Sequence, residues 1–264
     1  MGSEMCIRDR GAGCLNHGDS CIIIGTWGVV EAVSSEPLID PEKKCITRKY
    51  GAPGKWIIFF VGYTRASASN LEWFVKEFCR DLEMLANERG VNPYQLCDEE
   101  AESIPPGSEG VRYLPFLEGM SEAPQACAIF YGMRRWHSRA HLLRSLFEGV
   151  AFSTKLALEE LSRVIESKVL KLAGGGARSS VWSQIITDVL GADTEIPEGT
   201  ELGAKGAAIC AAIASGVYKS HEEALRNMTK VSRRCKVDEN AKRLYEDLYQ
   251  DFLDLLKLLK NRWR

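Results

Sequence analysis

The sequence has no long apolar run, no surplus of either charge, no paired-cysteine motif and only four histidines. Its longest apolar stretch, WIIFFVGY from Trp56 to Tyr63, has the length of a strand. It falls far short of the roughly 20 residues that cross a membrane, so no membrane partner is expected. Lysine and arginine total 34 against 36 aspartates and glutamates, a net charge of -2. A nucleic-acid partner would call for a basic face, so none is expected either. The nine cysteines are odd in number and include no CxxC pair. In a chain of 264 residues that pattern reads as buried, reduced thiols in a cytoplasmic protein, and it argues against a disulfide framework or a zinc site. The phosphate-loop pattern G-x-x-x-x-G-K-[ST] occurs nowhere, and there are no repeats, low-complexity tracts or linkers that would split the chain.

What is present is a change of period along the chain. SCIIIGTWGVVEAVSS, from Ser20 to Ser35, reads as two β-branched strands broken at Gly25-Thr26, and KCITRKYG and GKWIIFFVGY read as further strands. From Ser67 to Gly90, apolar residues at Leu71, Phe74, Val75, Phe78, Leu82 and Leu85 predict one amphipathic helix. Asp98 to Gly110 reads as a turn-rich connector, and two short strands follow within VRYLPFLEG and ACAIFYGM. The rest alternates: a long helix after a Ser138 cap, the strand KVLKLAGGG, the helix SSVWSQIITDVLG, the short strand DTEIP and the small-residue helix LGAKGAAICAAIASGVY. Two helical runs close the chain, Ser220 to Lys230 and about Asn240 to Arg262. The order predicts a layered α/β domain. The first ten residues, MGSEMCIRDR, show no periodicity and no signal-peptide apolar region, look foreign to the rest and are set apart from the fold.

Two glycine-bearing turns draw attention to chemistry. In LAGGGARSSVWSQIITDVLG, glycines end a strand just before a helix begins. Without a Cβ, backbone there can approach a phosphate, a dinucleotide or an adenine ring, and the helix start offers free N–H groups. Gly174 and Gly176 begin a G-x-G-x-x-G match, with Ser179 at its last position and Asp193 placed for a ribose contact. A nicotinamide oxidoreductase would use them so, but that motif usually opens a series of βαβ units and here stands late. Gly25-Thr26 repeats the device, adding a hydroxyl that can donate to phosphate oxygen. Each turn alone is equally well a tight bend. Two of them, some 150 residues apart, can grip opposite ends of one nucleotide.

The segments IIIGTWGVV, SASNLEWF, YLPFLEG, IFYGM, RAHLLRSLFEGVAFS, LAGGGARSSVWSQIITDVLG and ELGAKGAAICAAIASGVY occur in this order from about Gly11 to Tyr218. In combination they resemble the FGGY carbohydrate kinases, and GTW with SASNLEWF is most like the L-xylulose and polyol kinase branch. The resemblance implies an actin-like, ribonuclease-H-like ATPase domain, α/β with a mixed sheet flanked by helices. It implies that residues 11–264 form the ATP-binding C-terminal domain, the sugar-binding N-terminal domain being missing. It further implies ATP-dependent phosphorylation of a sugar or polyol such as L-xylulose, with ATP and Mg²⁺ as cofactors, by a chain inactive alone. Carried over by position, Gly25 and Thr26 meet the phosphates, Gly175 and Gly176 line the adenine pocket with Ser180 at its edge, and Ser69, Asn70 and Glu72 approach the nucleotide. Glu72 stands where some relatives carry glutamine. The family's catalytic aspartate would fall at Glu4, inside the foreign-looking leader, so no catalytic residue is assigned. A non-catalytic actin-like nucleotide-binding module is the alternative.

Other residues carry two readings. His137 and His141 have metal-ligand spacing on a helix, yet no third ligand is evident and caps account for them equally. Arg134, Arg135 and Arg139 suit a phosphate or a solvated face. Trp27 follows Thr26 directly and is the tryptophan to watch. The leucines at 253, 255, 256, 258 and 259 leave the last helix apolar on two sides, so it packs on the domain or makes a homodimer.

Overall fold

The computed structural model describes residues 2–60, 62 and 65–263, and side chains from residue 7 onward. Its main sheet runs β3-β4-β2-β1-β7-β8-β9. These strands are β1 (Asp19–Ile24), β2 (Gly28–Ser34), β3 (Cys45–Lys49), β4 (Trp56–Phe60), β7 (Val169–Ala173), β8 (Thr194–Pro197) and β9 (Val231–Cys235). The first four strands form antiparallel pairs, β1 to β7 and β7 to β8 are parallel, and β9 returns antiparallel. The mixed sheet excludes the all-parallel dinucleotide-binding arrangement. A small second sheet pairs β5 (Arg112–Leu114) with β6 (Ile129–Tyr131).

Every residue of β1, DSCIII, is buried, which fits a strand covered on both faces. Alternate side chains go to opposite sides. Ile22 and Ile24 join the larger core, with Val30, Ala32, Ile58 and Phe60. Cys21 and Ile23 join the smaller one, with Val33, Ile57 and Ala173. Helices α2 (Ala68–Phe78), α3 (Arg80–Arg89), α4 (Pro93–Glu102), α5 (Arg139–Ser162), α6 (Ser180–Leu190) and α9 (Glu239–Lys260) cover the first face. On the second lie α1 (Gly2–Ala12), α7 (Leu202–Ala214) and α8 (His221–Met228). Among the described residues no helix is long and apolar enough to cross a membrane.

Several expectations need correction. The helix read from Ser67 to Gly90 is two helices, broken at Cys79, whose ψ of 34° lies outside the helical range. Residues 98–102 are not connector but the end of α4, which begins on an Asn92 cap with Pro93 at its first position. The strand β9 lies between the two closing helical runs, where no element was read, because VSRRC offers little apolar alternation on an exposed edge. Residues 2–10 continue without a break into the helix that ends at Ala12. α9 settles on the domain through Tyr245, Leu248, Tyr249, Phe252 and Leu256.

The true connector is held from inside. Ser108 and Glu109 both have positive φ, which costs a residue with a side chain. Buried Glu148 of α5 secures them, accepting from the Gly107 N–H at 2.8 Å and the Ser108 hydroxyl at 2.9 Å. Arg144 donates to the same carboxylate at 2.9 Å, and Tyr245 bonds both partners.

Candidate functional site

The parallel pairing of β1 with β7 brings their ends together, since Ile23 lies opposite Ala173. The bend after β1, Gly25-Thr26-Trp27, and the glycine turn after β7 therefore emerge side by side. Gly174 adopts a φ of +91°, and a Cβ there would stand 2.6 Å from the Ile24 carbonyl oxygen. A Cβ on Gly176 would stand 2.3 Å from Ile24 Cγ2. Both glycines are required to seat one turn on the other. Gly175 differs: nothing lies within 4 Å of the position its Cβ would take, and its backbone is right-handed helical.

A cleft of about 1050 Å³ opens over these two bends. That is the upper end of the roughly 300–1,000 Å³ of small-molecule sites. Gly25, Thr26, Glu72, Gly175, Gly176 and Ser180 all line it. Ser69 and Asn70 stand behind the first bend instead. The Ser69 hydroxyl donates to the Thr26 carbonyl at 2.8 Å, and the Ser67 and Ala68 N–H groups donate to Thr26 and Gly25. The start of α2 thus spends its free N–H groups on the bend and fixes its shape. Asn70 is fully buried, donating to the Ser67 carbonyl and accepting from the Tyr113 hydroxyl at 2.7 Å.

The wall built by α4 was not anticipated. Tyr94, Gln95 and Asp98 line the cleft. Asp98 accepts from the Ser179 hydroxyl at 2.7 Å, and Ser179 caps α6 by accepting from the Trp182 N–H at 2.9 Å. Partial burial pushes the Asp98 carboxyl up to about 6, although the Ser179 bond pulls the other way. No local pattern set this aspartate apart in the sequence, where it opens an acidic run in an apparent connector. Exposed Trp27 stands on the rim, while Trp182 is buried, stacked on Phe147 at 4.5 Å, with its indole N–H given to the Phe147 carbonyl.

Other candidates have duties elsewhere. Asp193 accepts from the Val237 N–H at 3.0 Å and does not line the cleft, so no ribose contact falls to it. The His141 ring closes the start of α5, accepting from the Ser138 N–H at 3.1 Å, and His137 accepts from the Arg134 N–H. Arg139 joins Asp81 and Glu100, tying α5 to α3 and α4. The Glu4 side chain lies outside the described residues. Among the described residues no three histidines, cysteines or carboxylates gather as a metal site.

With this geometry in hand, residues 21–215 match the C-terminal domain of the FGGY family of carbohydrate kinases. The chain belongs to that family. It is 30% identical over 239 residues to the L-xylulose/3-keto-L-gulonate kinase of Escherichia coli K12, a match that covers 90% of this chain and 45% of that protein. Gluconokinase of Bacillus subtilis is 26% identical over 267 residues, 99% of this chain and 51% of the relative. The crystal structure of xylulose kinase from Rhodospirillum rubrum superposes with a TM-score of 0.83 at 26% identity, covering 98% of this chain and 51% of that one. The chain spans about half the length of the curated relatives it matches. The actin-like ATPase fold is shared with these kinases.

Proposed function

We propose that this chain supplies the ATP-binding half of a kinase that phosphorylates a sugar or polyol, a pentulose such as L-xylulose being the first substrate to try. The observation that supports this is that Thr26 and Gly176, some 150 residues apart, line one cleft. On this reading the Gly25-Thr26 bend meets the phosphates, through its hydroxyl and whatever N–H groups it does not spend internally. The Gly174–Gly176 turn admits the adenosine against bare backbone, with Ser180 at its edge and Glu72 across the cleft. The open space over Gly175 is what a flat ligand resting on backbone would need.

Bound ATP would supply the phosphoryl group. Mg²⁺ would arrive with the phosphates, since that ion commonly keeps its waters and takes only one or two protein carboxylates. What the chain's own residues contribute is position and polarity, the main currency of phosphoryl transfer. The sugar contacts and the base that takes the sugar's proton are assigned to the half of the relatives' length that these 264 residues do not match. A homodimer and a cytoplasmic location complete the reading.

The test is a calorimetric titration of the chain with Mg-ATP, alongside Thr26→Ala. Saturable binding that weakens about tenfold in the variant is expected from the loss of a hydrogen bond to a charged group. A coupled kinase assay with L-xylulose is expected to show no sugar-dependent turnover by these 264 residues alone. NAD binding in place of ATP would overturn the reading.

A further inference from the structure

Asp98 is the one carboxylate on the α4 wall of the cleft. One of its oxygens is committed to Ser179 at 2.7 Å, and that hydroxyl is itself fixed by the Trp182 N–H. The carboxyl group is thereby locked in place beside the glycine turn, because Ser179 follows that turn by three residues. Among the described residues its other oxygen accepts no hydrogen bond. An ionised carboxylate can only accept. A triphosphate offers it nothing but further acceptors and negative charge. A nucleoside offers donors, the exocyclic amine of the base and the ribose hydroxyls.

We propose that Asp98 orients the nucleotide and selects it: its free oxygen accepts a hydrogen bond from a donor on the nucleoside, while its charge turns the phosphates away toward Thr26. This rests on the nucleotide reading of the cleft. Asp98 is a specificity residue in this scheme and takes no part in the chemistry. Ser179 is its positioning partner, since losing that hydroxyl frees the carboxylate to rotate.

The experiment is a set of calorimetric titrations of the full chain, wild type, Asp98→Ala and Asp98→Asn, with ATP, ITP, 2′-deoxy-ATP, 3′-deoxy-ATP and inorganic tripolyphosphate. Thermal melts establish that each variant is folded. ITP lacks the exocyclic amine, and the deoxy forms each lack one ribose hydroxyl. Wild type is expected to bind ATP about tenfold or more tighter than one of these three analogues. That analogue identifies the donor. Asp98→Ala is expected to lose the same factor for ATP and to bind ATP and that analogue alike. Asp98→Asn, which keeps a partner for Ser179, is expected to weaken ATP as well. Tripolyphosphate has no nucleoside, so its affinity is expected to be equal or higher in both variants. Equal ATP affinity in wild type and Asp98→Ala would overturn the proposal while leaving the nucleotide site standing. So would an analogue penalty that survives the substitution. If wild type binds neither ATP nor tripolyphosphate, the nucleotide reading and this inference fall together.

Discussion

The three consecutive glycines after β7 make a sharp experiment, because alanine at each should act differently. At Gly175 the backbone is at φ -60° and ψ -43°, which alanine adopts without strain, and the methyl would meet nothing within 4 Å. Gly175→Ala is therefore expected to stabilise the fold by about 0.4–1 kcal/mol, through the reduced freedom of the unfolded chain. The same methyl would project into the space where the ligand is proposed to rest. Overpacking of a fitted site costs about 1–3 kcal/mol, so ATP affinity is expected to fall roughly tenfold to a hundredfold. Gly174→Ala and Gly176→Ala run against this pattern, since their Cβ atoms would stand 2.6 and 2.3 Å from Ile24 atoms. Both should destabilise, Gly174→Ala doubly so because of its positive φ. Urea denaturation gives the stability order and calorimetry the affinity. Gly175→Ala that binds ATP as wild type does would refute the idea that the ligand lies on this backbone. Gly175→Ala that unfolds earlier than wild type would refute the open geometry itself.

Three further outcomes follow from contacts described above. Glu148→Ala leaves Arg144 buried with only the Tyr245 hydroxyl and no counter-charge, and is expected to cost about 3–5 kcal/mol by urea denaturation; Glu148→Met combined with Arg144→Met should cost clearly less than that single change. Ser69→Ala removes the tie to the Thr26 carbonyl at a half-buried position, so ATP affinity should drop several-fold with a melting change of only a few degrees. The Asp98 carboxyl, raised to about 6 in the fold, holds a proton there that the unfolded chain gives up near its ordinary value. Its contribution to stability is thus largest at low pH and declines as pH rises from about 4 through about 6. Asp98→Asn should gain on wild type over that window when both are melted from pH 4 to pH 7, and a constant difference would contradict the burial that causes the shift.

Much of this architecture was legible from period alone. DSCIII and WIIFF announce strands by their β-branched and aromatic residues, and Gly191, at a φ of +67°, ends α6 where the sequence places its stop. The break at Cys79 was not legible, because the apolar spacing runs through it and only the turn of the chain reveals it. The acidic face of α4 hid a helix, its few apolar residues Leu96, Cys97 and Ala101 being too sparse to declare a stripe. At the site, glycine at two strand ends gave the two bends away, although each alone suits a plain tight turn as well. Asp98 stayed hidden because nothing local pairs it with Ser179, 81 residues downstream. Ser69 and Asn70 do not line the cleft, and their side chains are turned to the bend and the core.

The pairing of β1 with β7 joins residues 150 apart, and the cleft exists only where those two strands end together. No fragment short of that closure can present both bends, so recognition must come late in folding, after the costly long-range contacts have formed. A ligand at one hundred times its dissociation constant then favours the finished topology by about 2.7 kcal/mol over every species that lacks it. On the nucleotide reading, ATP in the refolding buffer would raise the yield of chains whose distant halves have met by mass action, without speeding their meeting.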